Sequence, residues 1–354
     1  MNKYLYLILV IISLLFLSCE RNQTSEINPS GNWKKSAEYL GAGRGGAICF
    51  IIGENAYIGL GYSNEDYFSR FYKYNTMSGN WVSITSRDVD GNPIGIFPGT
   101  PRREAVAFSV NGKGYIGTGI DKDENLLDDF WEYDTAKPVG ERWSKVSSKF
   151  PGNERQAAVA FAFDKDGDGI NDVAYVGTGY DSLEGEDHNN LKDFYKFEND
   201  TWSVINTYEG DKTSNATTFT IGKKAYLVSG ENNLENVWEF DATTEVWMQK
   251  KKLNKNNHSE NVQRTNAVSF VIDGKGYVTT GLGVNSREVW EYNPTTDTWS
   301  KKTSLEPEVP TRWEAIGLSI NNKGFIVTGM NGPTGLYDMW EFQPKVDENE
   351  FDND

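Results

Sequence analysis

Residues 164–172 (DKDGDGIND) concentrate oxygen donors at a spacing that suits a metal ion. Four aspartates alternate with other residues, so that their carboxylates can converge on one point, and two glycines permit the tight turn that this requires. Hard oxygen donors in a flexible loop favour Ca²⁺. The alternative is a solvated acidic turn without an ion. The predicted calcium ligands are Asp164, Asp166, Asp168, the Ile170 carbonyl and Asp172.

This loop resembles the Asp-x-Asp-x-Asp-Gly-x-x-Asp calcium hairpins of integrin-type propeller blades. It departs from an EF-hand, which would place a bidentate glutamate where this chain has Tyr175. The loop also lengthens a turn, since Ala158 to Tyr175 spans 17 residues whereas the equivalent interval from Ala47 to Tyr57 spans ten. No base or nucleophile lies beside it in the sequence, so we expect the ion to stabilise the fold rather than to react.

A second set of candidates is an arginine that recurs three residues before a repeated alanine. Guanidinium groups bind carboxylates bidentately, so a ring of them could hold an anionic ligand. The alternative is a salt bridge to a neighbouring acid within each repeat. The fourth repeat has Thr213 at this place, and Glu104 and Glu314 lie near two of the arginines. The arginines are Arg44, Arg102, Arg155, Arg264 and Arg312.

These candidates are spaced by an internal repeat. Each repeat has an apolar segment, a second segment ending in glycine, a third that is rich in aromatic residues, and a short fourth marked by tryptophan. Segments of about six residues rich in β-branched and aromatic types, bounded by Gly, Asn and Asp, predict strands. Turn pairs such as Asn111-Gly112 and Asp273-Gly274 predict hairpins. The first segments are AICFII (from Ala47), AVAFSV (Ala105), AVAFAF (Ala158), ATTFTI (Ala216), AVSFVI (Ala267) and AIGLSI (Ala315).

Four short antiparallel strands repeated six times predict an all-β, six-bladed β-propeller. The pattern resembles the kelch repeat over residues 31–343, and motifs such as GTGYD and DFWEYD resemble kelch-type lipoproteins of Bacteroidota. The sixth repeat has no fourth strand of its own, whereas Asn32-Trp33-Lys34 resembles a fourth strand without a blade. We therefore expect this N-terminal strand to complete the last blade and close the ring. The recurring tryptophans are expected to pack between blades rather than to form a sugar-binding platform.

The N-terminus carries a targeting signal. An apolar run from Tyr4 to Leu17 is too short to span a bilayer and is followed by Ser18 and Cys19. This resembles a bacterial lipobox and implies a signal peptide over residues 1–18, a tether over 19–30 and lipid on Cys19. The alternative is an ordinary signal peptide in which Cys19 is incidental. A propeller over 31–343 and an acidic tail over 344–354 follow. The protein is expected on the cell envelope, on the outer membrane or facing the periplasm, and held there only by its lipid.

Composition excludes several classes of function. The chain has 51 acidic and 35 basic residues, a net charge of −16, which opposes binding to nucleic acid. His188 and His258, the two histidines of the sequence, lie in polar loops, and Cys49 lies in an apolar strand, so a copper site like that of galactose oxidase is not expected. Phosphate loops, nucleophile elbows and zinc spacings are absent from the sequence. The chain is expected to be a monomer.

Two functions fit these features. The first is a non-enzymatic binding or scaffold module that presents a loop-rich face, including residues 82–101, 180–192 and 250–263, to a protein or glycan. The second is an enzyme similar to the sialic-acid mutarotases (N-acetylneuraminate epimerases), which are also six-bladed kelch rings. A deep mouth that holds an arginine beside an acid of perturbed pKa would favour the enzyme.

Overall fold

The computed structural model describes residues 30–181, 189–206, 208–253 and 262–347, and these form six four-stranded antiparallel sheets. The predicted six-bladed propeller is confirmed. Blades 1 to 3 consist of strands Ile48–Ile52, Asn55–Gly59, Phe71–Asn75 and Asn80–Ser83; Val106–Val110, Lys113–Gly117, Phe130–Tyr133 and Trp143–Lys145; Val159–Phe163, Val173–Gly177, Phe194–Glu198 and Thr201–Val204. Blades 4 to 6 consist of Thr217–Ile221, Lys224–Val228, Val237–Asp241 and Val246–Lys250; Val268–Ile272, Lys275–Thr279, Val289–Asn293 and Thr298–Lys302; Ile316–Ile320, Lys323–Val327, Met339–Gln343 and Asn32–Lys35.

The ring closes as the sequence predicts. The N-terminal strand Asn32–Lys35 pairs antiparallel with Met339–Gln343 and supplies the outer strand of blade 6. Trp33 lies opposite Phe342 in this ladder and is fully buried, with ring centroids 4.9 Å apart. Trp33 also contacts Phe270 of blade 5, so one side chain joins the last two blades.

Packing between blades repeats around the ring. The outer-strand tryptophan of one blade lies against the third-strand phenylalanine of the blade before it, since Trp202 is 4.7 Å from Phe130 and Trp247 is 4.9 Å from Phe194, measured between ring centroids. The predicted packing role of these tryptophans is confirmed. The tight turns also form as predicted, because Asn111 and Gly112 both adopt positive φ (52° and 70°), as a type I′ hairpin requires.

Short hairpins decorate the face on which the second strands end. They connect the second and third strands, except for one that lies between blades 1 and 2. The described residues contain one three-residue 3₁₀ helix, Val139–Glu141, and none of their helices is long and apolar enough to cross a membrane. The hairpins pair Tyr62–Ser63 with Asp66–Tyr67, Ser86–Arg87 with Pro93–Ile94, Tyr180–Asp181 with Asn189–Asn190 and Met330–Asn331 with Thr334–Gly335.

Ring closure generates the first prediction. Trp33→Ala should lower the free energy of unfolding by about 3–5 kcal/mol, the usual cost of deleting a buried tryptophan, because it removes the contact between blades 5 and 6. Lys34→Ala, an exposed position on the same strand, is the matched control and should change little. Chemical denaturation of both variants measures the difference. A Trp33→Ala protein as stable as wild type would contradict the closure.

Candidate functional site

The five predicted arginines lie inside the blades. Their exposed fractions are between 0% and 2%. Each Nε donates a hydrogen bond to the main-chain carbonyl two residues earlier in the chain, which fixes the loop that leads into the first strand. In four blades Nη1 donates to the carbonyl of the left-handed residue that follows the second strand. Those acceptors are Leu60, Thr118, Thr178 and Thr328.

In three blades a third partner is an aspartate at the start of the third strand. Arg102 pairs bidentately with Asp129, with N–O distances of 2.5 and 3.2 Å. Arg155 with Asp193 and Arg312 with Asp338 repeat this geometry. Burial opposes ionisation of these carboxyls, but the hydrogen bonds and charge of the arginines prevail and hold each aspartate pKa below its ordinary value. We call this set of contacts the arginine clasp.

The third-strand aromatic residue belongs to the clasp as well. Trp131 Nε1 donates to Asp129 at 2.8 Å, Trp340 Nε1 donates to Asp338 at 2.7 Å, and the Tyr195 hydroxyl donates to Asp193 at 2.7 Å. These contacts favour a structural role for the three aromatic side chains over a role as a sugar-binding platform.

The other three blades depart from the clasp in different ways. In blade 1 the position of the aspartate holds Arg70, and Arg44 instead lies 4.0 Å over the ring of Phe68. In blade 4 both members differ, being Thr213 and Asn236. In blade 5, Arg264 donates to the carbonyls of Glu288 and Asn285, and burial lowers its pKa to about 10.

These contacts match the alternative of a salt bridge within each blade for Arg102, Arg155 and Arg312. Ligand binding by the five arginines stays a prediction. The residue that reaches the central mouth in each blade stands two positions after the arginine position.

The six equivalent residues, one from each blade, form a rim around the central channel. In every blade the residue directly before the first-strand alanine is left-handed, with φ between 51° and 59°. Their main chains are linked from blade to blade by hydrogen bonds of 2.9–3.0 Å: Gly46 N to Glu314 O, Glu104 N to Gly46 O, Ala157 N to Glu104 O, Asn215 N to Ala157 O and Asn266 N to Asn215 O. We call these six residues the rim; they are Gly46, Glu104, Ala157, Asn215, Asn266 and Glu314.

The rim carries two acids, which flank blade 1. Arg103 lies beside them: its Nη1 donates to Glu104 at 2.7 Å, and its Nε donates to the Tyr67 hydroxyl at 3.0 Å. The guanidinium also lies 5.2 Å over the ring of Tyr62. The side chains of Arg103 and Glu104 are 25% and 14% exposed, so both are accessible from solvent.

Both acids have perturbed ionisation. Burial, together with the charge of Glu104, raises the pKa of Glu314 to about 7, against the opposing effects of Arg103 and of a hydrogen bond from Tyr62. Burial also raises the pKa of Glu104, with Arg103 opposing the shift. A carboxyl that titrates near neutrality can both donate and accept a proton at physiological pH.

Below the rim, three cavities that share lining residues follow one another along the centre of the ring and make up the central channel. The mouth, with a volume of about 160 Å³, leads past the six first-strand alanines into a section of about 220 Å³ and then into a wider section of about 650 Å³. Gly169, Ile170 and Asn171 of the blade 3 insertion line the far end. The acids and the predicted calcium loop therefore lie at opposite openings.

Arg103 is the residue that the sequence analysis missed. The corresponding positions elsewhere are Gly45, Gln156, Ser214, Thr265 and Trp313, so Arg103 is the one charged residue in this column of the repeat. The signal available in the sequence was that Arg103 is a charged residue at a repeat position where the other five blades have uncharged residues.

The aspartate loop is partly assembled. One carboxylate oxygen from each of Asp164, Asp166 and Asp172 lies within 4.8 Å of the others. Asp164 accepts hydrogen bonds from the Gly167 and Gly169 amides at 2.6 and 2.8 Å, which hold its pKa below the ordinary value. The insertion is pinned to blade 2, because the Asn111 amide donates to the Asn171 carbonyl at 2.8 Å.

Asp168 is not among those three carboxylates. Its Oδ1 accepts the Ile170 amide at 2.7 Å, and the Ile170 side chain is 46% exposed. The three remaining oxygen donors fit a hard cation, and the place of Asp168 and of the Ile170 carbonyl in a calcium sphere stays a prediction. Cys19, His188, His258 and parts of the loops at 180–192 and 250–263 lie outside the described residues.

The fold and mouth define a six-bladed β-propeller with an acidic rim. The solved structure of YjhT has the same fold, with a TM-score of 0.68 and 19% identity over 86% of this chain and 95% of that one. No family model matches the chain.

Curated relatives give a more specific similarity. The chain is 28% identical over 116 residues to the N-acetylneuraminate epimerase of Haemophilus influenzae, covering 32% of this chain and 27% of that protein. It is 28% identical over 127 residues to the enzyme of that name in Pasteurella multocida (34% and 28%), and 27% identical over 139 residues to that of Vibrio vulnificus (36% and 33%). The matched region thus spans a third or less of the length of these relatives, and the homology is distant.

These relatives overturn the first functional expectation. A non-enzymatic binding or scaffold module was expected, and that expectation is wrong, because the curated proteins that this chain resembles are named as epimerases. The alternative expectation, an activity of the sialic-acid mutarotase kind, is the one that they support.

The clasp generates the second prediction. Arg102→Thr should cost on the order of 3 kcal/mol of unfolding free energy, because it leaves the Asp129 carboxylate without its buried partner. The double variant Arg102→Thr with Asp129→Asn recreates the pair found in blade 4 and should recover much of that loss. A double-mutant cycle by denaturation measures the coupling. Additive costs would show that the pair is not coupled.

Proposed function

We propose that this protein is an enzyme that interconverts the ring anomers of an anionic sugar of the N-acetylneuraminate class at the rim of its propeller. The observation that carries the proposal is the meeting of Arg103, Glu104 and Glu314 at the central mouth. The distant similarity to N-acetylneuraminate epimerases supports the choice of substrate class. A kelch-type propeller is part of the same proposal.

The chemistry requires a group that moves protons both ways. To open the ring of a cyclic hemiketal, the anomeric hydroxyl loses its proton, the bond between the anomeric carbon and the ring oxygen breaks, and the ring oxygen gains a proton. Ring closure on the other face of the new carbonyl reverses these steps, so atoms and charge balance. Glu314 is suited to transfer these protons, because its pKa of about 7 populates both protonation states.

Arg103 supplies the complementary charge. An anionic sugar approaching a rim with two carboxyls would be repelled unless a cation faced its carboxylate. Arg103 is partly exposed and held in place by Glu104 and Tyr67, so its orientation is set before the substrate binds. We assign Arg103 to substrate carboxylate binding, Glu314 to proton transfer and Glu104 to orienting Arg103.

The third prediction tests this activity. The wild type should accelerate the approach to anomeric equilibrium of N-acetylneuraminate, followed by proton NMR from a sample enriched in one anomer. Glu314→Gln should lower kcat/KM by about 100-fold or more, because it removes the group that transfers the proton. The pH profile of wild-type kcat/KM should show a limb near the Glu314 pKa, and this limb should be absent from the variant.

The control is Glu308→Gln, which alters an exposed glutamate six positions earlier in the chain and should retain full activity. Arg103→Gln should raise KM, because it removes the cation for the substrate carboxylate. Wild-type rates equal to those in buffer would contradict the proposed function.

We also propose that the blade 3 insertion binds Ca²⁺ as a structural ion. The grouping of the Asp164, Asp166 and Asp172 carboxylates supports this, because three such charges close together repel one another unless a cation neutralises them. The ion would fix the insertion across the far end of the channel, away from the rim.

The fourth prediction follows. Calcium at 100 times its Kd should stabilise the wild type by roughly 2.7 kcal/mol and raise Tm relative to chelator. Asp166→Ala should abolish the increment, because it removes one of the grouped carboxylates. Asp90→Ala, in an exposed acidic turn elsewhere, should keep it. A wild-type Tm that is the same in calcium and in chelator would identify a metal-free acidic turn.

The remaining features of the proposal concern location. We propose that Cys19 carries lipid and that the protein acts as a monomer on the cell envelope, where the loop-rich face would meet sugars released from glycans. Phase partitioning of wild type and Cys19→Ala tests the anchor independently of the activity.

A further inference from the structure

The charged residues at the mouth come from blades 2 and 6, and blade 1 lies between them. Arg103 and Glu104 belong to blade 2 and Glu314 belongs to blade 6. Blade 1 has glycine at both of the corresponding positions, Gly45 and Gly46. Blade 1 therefore adds no side chain of its own to the rim, but its backbone and its hairpin border both functional groups.

The space beside the two glycines is filled by side chains of the neighbouring blades. A Cβ atom on Gly45 would overlap Met330 and lie 3.1 Å from Glu314 Oε2. A Cβ atom on Gly46 would lie 2.9 Å from Arg103 Cβ, which is closer than side-chain carbons approach one another. Glu314 and Arg103 can take their places because blade 1 has no side chains at these two positions.

Backbone conformation does not account for the two glycines. The other five rim residues share the left-handed conformation of Gly46, with φ of 51–53° against 59°, and all of them carry side chains. The equivalents of Gly45 also carry side chains; they are Arg103, Gln156, Ser214, Thr265 and Trp313. The glycines are therefore explained by the groups that pack against them.

One oxygen of the Glu314 carboxyl lies in an apolar part of this packing. Glu314 Oε2 is buried next to Gly45 and Gly46, and no described residue donates a hydrogen bond to it. Met330 packs at the same place and is 3% exposed. Since water and donors are kept from this oxygen, the neutral acid is favoured over the carboxylate. This packing supplies the burial that raises the pKa of Glu314 to about 7.

The blade 1 hairpin that carries Tyr62 and Tyr67 contacts both functional groups. The Tyr62 hydroxyl donates a hydrogen bond to the Glu314 carboxyl, and the Arg103 guanidinium lies over the Tyr62 ring. The Tyr67 hydroxyl accepts a hydrogen bond from Arg103 Nε at 3.0 Å. Two main-chain hydrogen bonds of 3.0 Å join Tyr62 to Gly45, so the hairpin and the glycine form one rigid unit.

We propose that Gly45 and Tyr62 of blade 1 form a socket that fixes the Glu314 carboxyl and limits its contact with water. The inference rests on the proposed function and adds to it the residues that control when Glu314 carries a proton. Gly45 and Tyr62 are positioning residues, because they act on Glu314 and not on the sugar.

The two parts of the socket act in opposite directions. The packing at Gly45 favours the neutral acid, whereas the hydrogen bond from Tyr62 favours the carboxylate. The other charged groups that face Glu314 are Arg103, which favours the carboxylate, and Glu104, which opposes it. Substitutions of the two socket residues should therefore move the Glu314 titration in opposite senses.

The fifth prediction concerns the hydroxyl of the socket. Tyr62→Phe keeps the ring beneath Arg103 and removes the hydrogen bond that favours the Glu314 carboxylate, so the midpoint of the Glu314 titration should rise by about one pH unit. Carbon-13 NMR measures the midpoint, with the resonance assigned by its absence from Glu314→Gln. The limb of the kcat/KM profile should move to the same higher pH. Tyr337→Phe, which alters an exposed tyrosine of blade 6, is the matched control and should move neither.

Gly45→Ala should move the midpoint the other way. Its Cβ atom needs space that Met330 and the Glu314 carboxyl occupy, and a carboxyl displaced toward water titrates closer to the value of an exposed glutamate, about 4.3. The misplaced group should lower kcat/KM by about 10- to 100-fold. Gly140→Ala is the control, because a Cβ atom there meets nothing closer than 3.8 Å. Tm measurements establish that each variant is folded.

Tyr67→Phe distinguishes the socket from a general loosening of the hairpin. It removes the acceptor of Arg103 Nε and should raise KM several-fold, because Arg103 loses its orientation. The Glu314 midpoint should stay at the wild-type value, since Tyr62 still donates to it. A midpoint that moves as far in Tyr67→Phe as in Tyr62→Phe would show that the hairpin acts as a whole and would overturn the assignment to Tyr62.

The inference and the proposed function fail in different ways. A folded Tyr62→Phe or Gly45→Ala protein whose Glu314 midpoint is unchanged, or moves in the wrong direction, overturns the socket whatever its activity. If the wild type does not accelerate the anomerisation of N-acetylneuraminate, the proposed function fails, and the midpoints still decide whether the socket controls Glu314. Opposite shifts in the two variants, matched by opposite shifts of the kcat/KM limb, support both.

Discussion

A guanidinium group removed from water must be given partners, and this requirement organises every blade but the fourth. The desolvation penalty of a buried charge is several kcal/mol, so an arginine such as Arg102 is stable only where the loop before it, the end of the second strand and the start of the third all present oxygen atoms to it. The clasp therefore fixes three chain segments relative to one another. Arg103 and Glu104 directly follow Arg102 in the chain, so the clasp also fixes the backbone that holds these two residues at the mouth.

Positions that are the same in nearly every blade and positions that differ between blades have different roles. Residues that recur in nearly every blade, such as the clasp arginines and the outer-strand tryptophans, meet the packing needs of a ring of similar sheets. The chemistry lies in columns that do not repeat. The rim carries glycine, alanine, two asparagines and two glutamates on six backbones of nearly the same conformation. Arg103, the cation beside the two glutamates, has no charged equivalent in the other blades. The polar centre is thus asymmetric although its scaffold is regular.

Sequence patterns were sufficient for the fold because a blade is a local structure. Alternating strands, hairpin pairs such as Asn111-Gly112 and the unmatched Trp33 specify sheets and closure without any knowledge of distant contacts. The site required more. Arg44 and its equivalents were natural candidates as exposed cations, but whether a side chain points into a blade or toward the axis depends on the twist of the backbone at one residue. Arg103 of blade 2 and Glu314 of blade 6 lie together only because the ring closes, and spacing along the chain does not contain that information.

The closure of the ring through Asn32–Lys35 has a consequence for biosynthesis. This strand is the first part of the propeller to be made, but its partner Met339–Gln343 is the last, so the final blade cannot be completed until nearly the whole chain has emerged. Until then Trp33 is an unsheltered aromatic side chain and blade 6 has an open edge, both of which invite association with other chains. Pairing segments so far apart in sequence is also slow, because the loop-closure entropy is lost before the contact forms. Pairing of Asn32–Lys35 with Met339–Gln343 is therefore expected to be the last step of folding. Before that step the protein is most exposed to aggregation and most in need of chaperones.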